Sequence, residues 1–321
     1  LLYQLLKVAV RMAMTIFCRK LVVNKPDMLK IKGPVLLACN HPNSFLDGVI
    51  LDVLFDQPLY SLARGDVFKK PFYTRLLRSL NLLPVYRLSE GAENLPINYT
   101  TFNACRKIFL QNGIVIIFSE GRCINEWHLR PLKKGTARLA ISCWKENIPL
   151  QVLPVGINYS SFRRFGKNIF VNFGEMITQH DLDLAQPEGS LYQSFNSLLE
   201  QQLNQLVFEI DVNDREKQKN VLEYKPASTT KAILTLPAVL GFLVHWPLYQ
   251  PIKSFTWKRT HHNDHYDSVL ISLLLVSYPI YLIAISTVIY LLSHSWYSFL
   301  LLVLIPFTAW SYVQLKPQLD K

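Results

Sequence analysis

The sequence predicts an α/β fold: a mostly parallel central sheet flanked by helices, with an N-terminal interfacial helix and a C-terminal transmembrane helical hairpin. Three observations carry this expectation. Between residues 35 and 174, short β-rich runs alternate with helical patterns at the spacing of a parallel sheet with crossover helices. The 48 residues 268–315 carry no formal charge, enough for two spans of about 20 residues and a turn. The first 23 residues form an apolar helical pattern broken by Lys7, Arg11, Arg19 and Lys20.

Residues 1–30 read as a membrane-surface segment. Lys7 and Arg11 stand at i, i+4, so their edge would face phosphates at a bilayer; an amphipathic helix packed on its own domain is the alternative. Residues 31–210 form the α/β domain. Runs 35–39, 59–63, 82–86, 114–118, 150–156 and 169–173 read as strands, being rich in apolar and β-branched residues and bounded by turn formers. Runs 45–55, 68–80, 99–111 and 136–147 read as the helices between them. Residues 191–210, with Leu198, Leu199, Leu203, Leu206 and Val207 at helical spacing, close the domain.

Residues 211–230 are polar and charged, a linker by composition. The remainder, 231–321, is the membrane region. Residues 232–252 are uncharged but interrupted by Pro237, Gly241, His245 and Pro247, which suits an interfacial or re-entrant segment better than a clean span. Residues 269–292 and 296–313 are the expected spans, with Ser293, His294 and Ser295 as the turn and Pro279 and Pro306 as kinks.

Half of the 321 residues are apolar and 18% are charged, which excludes disorder as the main theme. Of the +11 net charge, most lies in the first 230 residues, which hold 28 bases and 20 acids. A basic domain joined to an apolar tail suits an anionic surface, and the tail favours phospholipid over nucleic acid. Lys253, Lys258, Arg259, Lys316 and Lys321 flank one side of the hairpin and its turn has no base, so the domain is expected on the cytoplasmic face. Cys18, Cys39, Cys105, Cys123 and Cys143 are scattered singly, against a disulfide framework or a zinc site. The chain opens on Leu1 rather than methionine, so a trimmed start is expected.

Two constellations carry chemistry. The first is Asn40-His41-Pro42-Asn43-Ser44-Phe45-Leu46-Asp47, directly after a buried-type strand. Strand ends of open α/β sheets are where ligands bind. In one continuous helix six residues would leave Asp47 roughly 120° around the axis from His41, so the chain must break near Pro42 and Asn43 for the two to meet. A carboxylate on one imidazole nitrogen would leave the other to take a proton from an alcohol. The same residues fit an S-x-x-D capping box, in which Asp47 merely caps a helix. The second constellation is the run from Ile114 to Cys123, a buried strand ending in Phe118-Ser119-Glu120-Gly121-Arg122. A carboxylate for a hydroxyl, a guanidinium for a phosphate and a glycine for close approach suit a polyol phosphate; an ordinary surface Glu120/Arg122 pair is the alternative. His261, His262, Asp264 and His265 resemble a metal cluster by count but read better as a solvated or headgroup-level loop.

These residues, in this order, resemble the four blocks of the glycerophospholipid acyltransferase superfamily. Asn40-His41 through Asp47 resembles its NHxxxxD block, with five residues rather than four between His41 and Asp47, as in a branch containing some eukaryotic glycerol-3-phosphate acyltransferases and many bacterial relatives. Pro84-Val85-Tyr86-Arg87 resembles the second block, Phe118 to Arg122 the FPEGTRS block, and Val152-Leu153-Pro154-Val155 the fourth; Arg64 stands near where the family often has a lysine. The resemblance covers residues 30–180. It implies that His41 and Asp47 are the catalytic dyad and that Arg87, Glu120, Gly121 and Arg122 bind the acceptor's glycerol and phosphate.

The expected activity is transfer of a fatty acyl group from acyl-CoA or acyl carrier protein to a hydroxyl of lysophosphatidate. Glycerol 3-phosphate or a lyso-aminolipid is the alternative acceptor. Backbone donors near Asn43 or the Pro154 strand are expected to stabilise the oxyanion. No metal or other cofactor is expected, and no nucleic acid among the partners. A non-catalytic lipid-binding protein on the same fold is the rival reading from another class.

Overall fold

Pairing follows the apolar runs. Strand β2 (Val35–Cys39), buried along its whole length, sits between β5 (Ile114–Phe118) and β6 (Gln151–Tyr159) and is parallel to both. Strand β3 (Leu59–Arg64) joins the other side of β5, and β4 (Leu82–Val85) joins β3, again in parallel. Strand β7 (Lys167–Phe173) turns back antiparallel on β6, and β1 (Cys18–Val23) lies parallel to β7 at the edge. The order is β1-β7-β6-β2-β5-β3-β4. The computed structural model describes residues 2–86 and 95–320.

Successive side chains of a strand face opposite ways, and here each face finds a helical layer. Leu36, Ala38, Val115, Ile117 and Val152 pack with α4 (Leu95–Leu110), α5 (Lys134–Lys145) and α6 (Glu188–Leu206) through Phe109, Trp144, Phe195 and Leu199. Val35, Leu37, Cys39, Ile116 and Leu153 pack with α2 (Phe45–Leu54) through Leu46 and Ile50, and with Phe17 at the end of α1 (Leu2–Phe17). A short α3 (Pro71–Ser79) links β3 to β4. Helix α6 ends at Leu206, four residues before the expected limit. Its last carbonyl is taken by the side-chain amides of Asn158 (3.0 Å) and Asn172 (2.8 Å), and Gly156 lets it approach so closely that a Cβ there would lie 2.5 Å from that oxygen.

The N-terminal segment differs from expectation in two ways. Residues 18–23 are a strand rather than the end of a helix, because Leu21, Val22 and Val23 complete the sheet edge left open by β7. The basic edge of α1 also faces inward. Lys7 Nζ donates to the Phe55 carbonyl (2.9 Å) and Arg11 Nε to that of Val53 (3.1 Å), meeting the unpaired carbonyls at the C-terminus of α2. Leu2, Leu5, Val8 and Met12 are left exposed, so the outward face of α1 is apolar.

The span read as a polar linker carries a two-turn helix, α7 (Arg215–Leu222), capped by the Asp214 side chain on the Lys217 N–H. Beyond it lie three helices long and apolar enough to cross a membrane, where two were expected: α8 (Ser228–Thr260), α9 (Tyr266–Ser293) and a 3₁₀ turn (Trp296–Leu300) leading into α10 (Leu301–Leu315). The expected interruption at 232–252 is absent. Pro237, Pro247 and Pro251 lie inside one continuous helix, since each removes a single backbone bond that neighbouring turns compensate. Gly241 is a packing contact rather than a break: a Cβ there would lie 2.1 Å from the Thr308 carbonyl oxygen of α10. The expected turn at Ser293–Ser295 is present, with His294 in the left-handed conformation at the end of α9.

Gly156→Ala should lower stability by about 2–3 kcal/mol, because the obstructing atom is backbone and must be displaced. Denaturant unfolding in detergent measures it; an unchanged midpoint would mean that α6 is not seated on β6 as described.

Candidate active site

Strand β2 ends against β6 through one side chain. Asn40, almost fully buried, accepts from the Ile157 N–H (2.7 Å) and donates to the Ile157 carbonyl (3.0 Å), so the chain leaves the sheet at a defined point. The next residues break the helical path. Ser44 adopts φ 55° and ψ −146°, a strained conformation for a residue with a Cβ, and α2 starts immediately after it. The strain is held by two contacts: the Ser44 N–H on Cys123 Sγ (2.8 Å) and the Ser44 hydroxyl with His265 Nδ1 (2.6 Å).

This break brings His41 Nδ1 to 2.8 Å from Asp47 Oδ2. Asp47 is fully buried, and its other donors are the Asn43 N–H on Oδ2 (2.8 Å) and the Tyr159 hydroxyl on Oδ1 (2.6 Å). The two sequence readings are thus resolved. Asp47 does bind a backbone N–H, but that of Asn43, while the Ser44 side chain caps nothing and the imidazole shares the same carboxylate oxygen. An ionised carboxylate only accepts, so His41 carries its proton on Nδ1 and presents an unprotonated Nε2. The ring stacks on Phe118, with centroids 3.9 Å apart, and its side chain is 16% exposed, enough to be reached by a ligand.

Glu120 and Gly121 lie beside this pair, but Glu120 does something other than expected. Its Oε2 accepts from the His41 N–H (2.9 Å) and its Oε1 from the Arg130 N–H (3.0 Å), so it braces the backbone at His41 instead of offering a free oxygen to a hydroxyl. Burial pushes its carboxyl above the ordinary range, against the two N–H donors, which favour the ionised form. Gly121 has φ +67° in the turn closed by its N–H on the Phe118 carbonyl (3.0 Å), a conformation that favours glycine. Arg122 is exposed and makes no hydrogen bond or ion pair among the described residues.

Arg64, at the end of β3, grips Asp66 through Nε (3.1 Å) and Nη2 (2.6 Å), and its charge acts on His265. Arg87 lies outside the described residues. At the two named positions themselves no backbone N–H is free for an oxyanion. The Asn43 N–H is committed to Asp47, and Pro154, which has no N–H, is buried in register with Ala38 inside the sheet; the β6 residues at the site are Ile157 and Tyr159.

Sequence reasoning missed four residues. Tyr159 holds Asp47; Lys167 and Asp267 form an ion pair with both side chains fully buried; Asp267 Oδ2 accepts from the Asn43 side-chain amide (2.8 Å); His265 holds Ser44. The segment read as a solvated loop therefore reaches the turn between His41 and Asp47, with Asp264 also accepting from the Asn125 N–H (3.1 Å). One signal was available: Asp267 is the last acid before 48 uncharged residues, a costly place for a charge without a partner.

The raised Glu120 carboxyl sets a pH dependence. A group protonated more readily when folded contributes fully below its unfolded value and loses that contribution as pH rises through the folded one. The unfolding midpoint of the native protein should therefore fall relative to that of Glu120→Gln as pH rises above the ordinary glutamate value of about 4; parallel profiles would contradict the assignment.

Residues 20–158 match the family model described as Acyltransferase. None of the curated proteins compared matches the chain. Seven chains of solved structures match, among them the crystal structure of the 1-acyl-sn-glycerophosphate (LPA) acyltransferase from Thermotoga maritima, with a TM-score of 0.42 and 14% identity over 63% of this chain and 77% of that one. The matched segment runs from β1 into β6 and contains His41, Asp47 and the Phe118–Arg122 strand end, so the α/β domain is similar to the acyltransferase family through the residues of the candidate site.

Proposed function

We propose that this protein moves a fatty acyl group from an acyl thioester, acyl-CoA or acyl carrier protein, to the free hydroxyl of lysophosphatidate. The observation that carries this reading is the His41–Asp47 pair, with a reachable imidazole, placed beside the start of an apolar helix. His41 Nε2 takes the proton of the acceptor hydroxyl while Asp47 stabilises the imidazolium on the other nitrogen. The oxygen attacks the thioester carbonyl, the tetrahedral intermediate expels the thiolate, and His41 returns its proton to the sulfur. Glu120 fixes the His41 backbone during this exchange. The exposed guanidinium of Arg122 meets the acceptor phosphate, with Arg64 at the end of the neighbouring strand β3. All protons and groups move among thioester, hydroxyl and imidazole, so the chemistry as proposed needs no resident metal or redox cofactor.

Two sets of ties support a membrane arrangement in which α9 and α10 cross the bilayer and α8 does not. Tyr224, before α8, donates its N–H to Gln318 Oε1 beyond α10 (2.8 Å), and Gln318 in turn binds Asn168 of β7. An odd number of crossings between Tyr224 and Gln318 would put hydrogen-bonded residues on opposite faces. Asp264 and His265, after α8, contact Asn125 and Ser44 of the domain, so both ends of α8 lie on the domain's side. A single straight helix cannot leave and return. We place α8 along the membrane face, with α9 and α10 as the crossing hairpin and the apolar outer face of α1 against lipid. Lys253, Lys258, Arg259 and Lys316 on the domain side, with no base at the Ser293–Ser295 turn, favour a cytoplasmic domain.

Purified protein given one labelled acyl donor should acylate lysophosphatidate faster than glycerol 3-phosphate or a lyso-aminolipid, and His41→Ala should lose at least about 100-fold in rate. A faster rate with another acceptor would reassign the substrate; full activity of His41→Ala would remove the dyad. In sealed vesicles, single cysteines at Ser228 and Gln318 should label from the same side and one at His294 from the other. Labelling of Ser228 and Gln318 from opposite sides would overturn the two-crossing arrangement.

A further inference from the structure

We infer that Asp267 of α9 and Lys167 of β7 are positioning residues for the His41–Asp47 pair, acting through the side chain of Asn43. The inference rests on the proposed general-base role of His41 and extends it to a part of the chain outside the matched family segment.

Asn43 has two jobs. Its backbone N–H donates to Asp47 Oδ2, the oxygen that also receives His41, and its side-chain amide donates to Asp267 Oδ2, each at 2.8 Å. Asn43 is fully buried, and its Oδ1 has no donor among the described residues, so the bond to Asp267 is the polar contact that fixes this side chain. Asp267 is itself held by Lys167, with both side chains fully buried. The Lys167 ammonium lies 5.8 Å from the ring centroids of Phe17 and of Tyr159, which keep water from it. Tyr159 then closes a second path, since its hydroxyl donates to Asp47 Oδ1. The catalytic carboxylate is thus reached from one ion pair by two routes, Asn43 and Tyr159.

A buried ion pair is weak evidence for stability, because apolar replacements often serve as well. Its location argues for position. Asp267 lies one residue into α9 and 220 residues after Asp47, so the pair locks the start of the apolar hairpin to the catalytic turn in one register. A hairpin displaced from the domain would withdraw the acceptor that holds Asn43.

Two double variants of the full chain in detergent separate positioning from structure. Lys167→Met with Asp267→Asn removes both charges but keeps an oxygen to accept from Asn43. Lys167→Met with Asp267→Leu removes both charges and the acceptor. The first should retain kcat within about threefold, and the second should lose about tenfold or more, with KM for both substrates unchanged. The His41 titration, followed by diethyl pyrocarbonate labelling and mass spectrometry, should move to lower pH in the leucine variant only, because a loosened Asp47 favours the imidazolium less. This second readout does not require turnover, so a native protein that transfers no acyl group would refute the proposed function while leaving the positioning test decisive. Asn43→Ala, which keeps both charges, should reproduce the leucine variant's shift and covers the case in which that variant does not fold. Equal His41 titration in the two doubles, or an unshifted titration in Asn43→Ala, would overturn the inference.

Discussion

The Asp47 carboxylate is fully buried, and the arrangement around it follows from the need to meet it with donors. Removing such an ion from water costs several kcal/mol, while each hydrogen bond to a charged group returns about 1.5–3 kcal/mol. Three donors are therefore of the right size to hold it, and they come from different places: the His41 ring, the Asn43 backbone and the Tyr159 hydroxyl. Only a chain that breaks between β2 and α2, with β6 running past them to Tyr159, can supply all three. The strained backbone of Ser44 and the Asn40 bridge to Ile157 are the local consequences.

The same logic explains where much of the positive charge goes. Helix C-termini end in unpaired carbonyls, and cations placed there replace the missing donors. Lys7 and Arg11 serve the end of α2, and Arg19 Nε donates to the Val313 carbonyl at the end of α10 (2.9 Å). A formal charge of +11 thus overstates what the protein offers to an anionic surface, since several of its bases point inward. What α1 turns outward is apolar, so its membrane contact is one of burial more than of charge.

The central part of the fold was legible to the residue. Runs 35–39 and 114–118 are β2 and β5 with the same limits, because a strand covered on both faces is a continuous apolar run ending where turn residues begin. Residues 18–23 were misread because an edge strand that follows a helix keeps the helix's apolar periodicity until its partner is known. Pro237 and Gly241 were misread for a related reason: both are breakers in water, yet in an apolar helix pair one is tolerated and the other is the contact. Glu120 was correctly placed beside His41, but its duty was not, because a carboxylate that braces N–H groups and one that binds a hydroxyl are the same residue in a sequence.

By itself the sequence determined the parallel sheet, the placing of His41, Asp47, Glu120 and Gly121 at its strand ends, and the apolar hairpin, since each depends on periodicity or on spacing within a few residues. The tertiary structure alone decided who holds them. Tyr159, Lys167 and Asp267 lie between 112 and 220 residues from Asp47 along the chain, and β-strand register and helix docking bring them to it. No local pattern records such a meeting, because a buried polar group advertises only that it needs a partner, and the identity of that partner is a property of the packed fold.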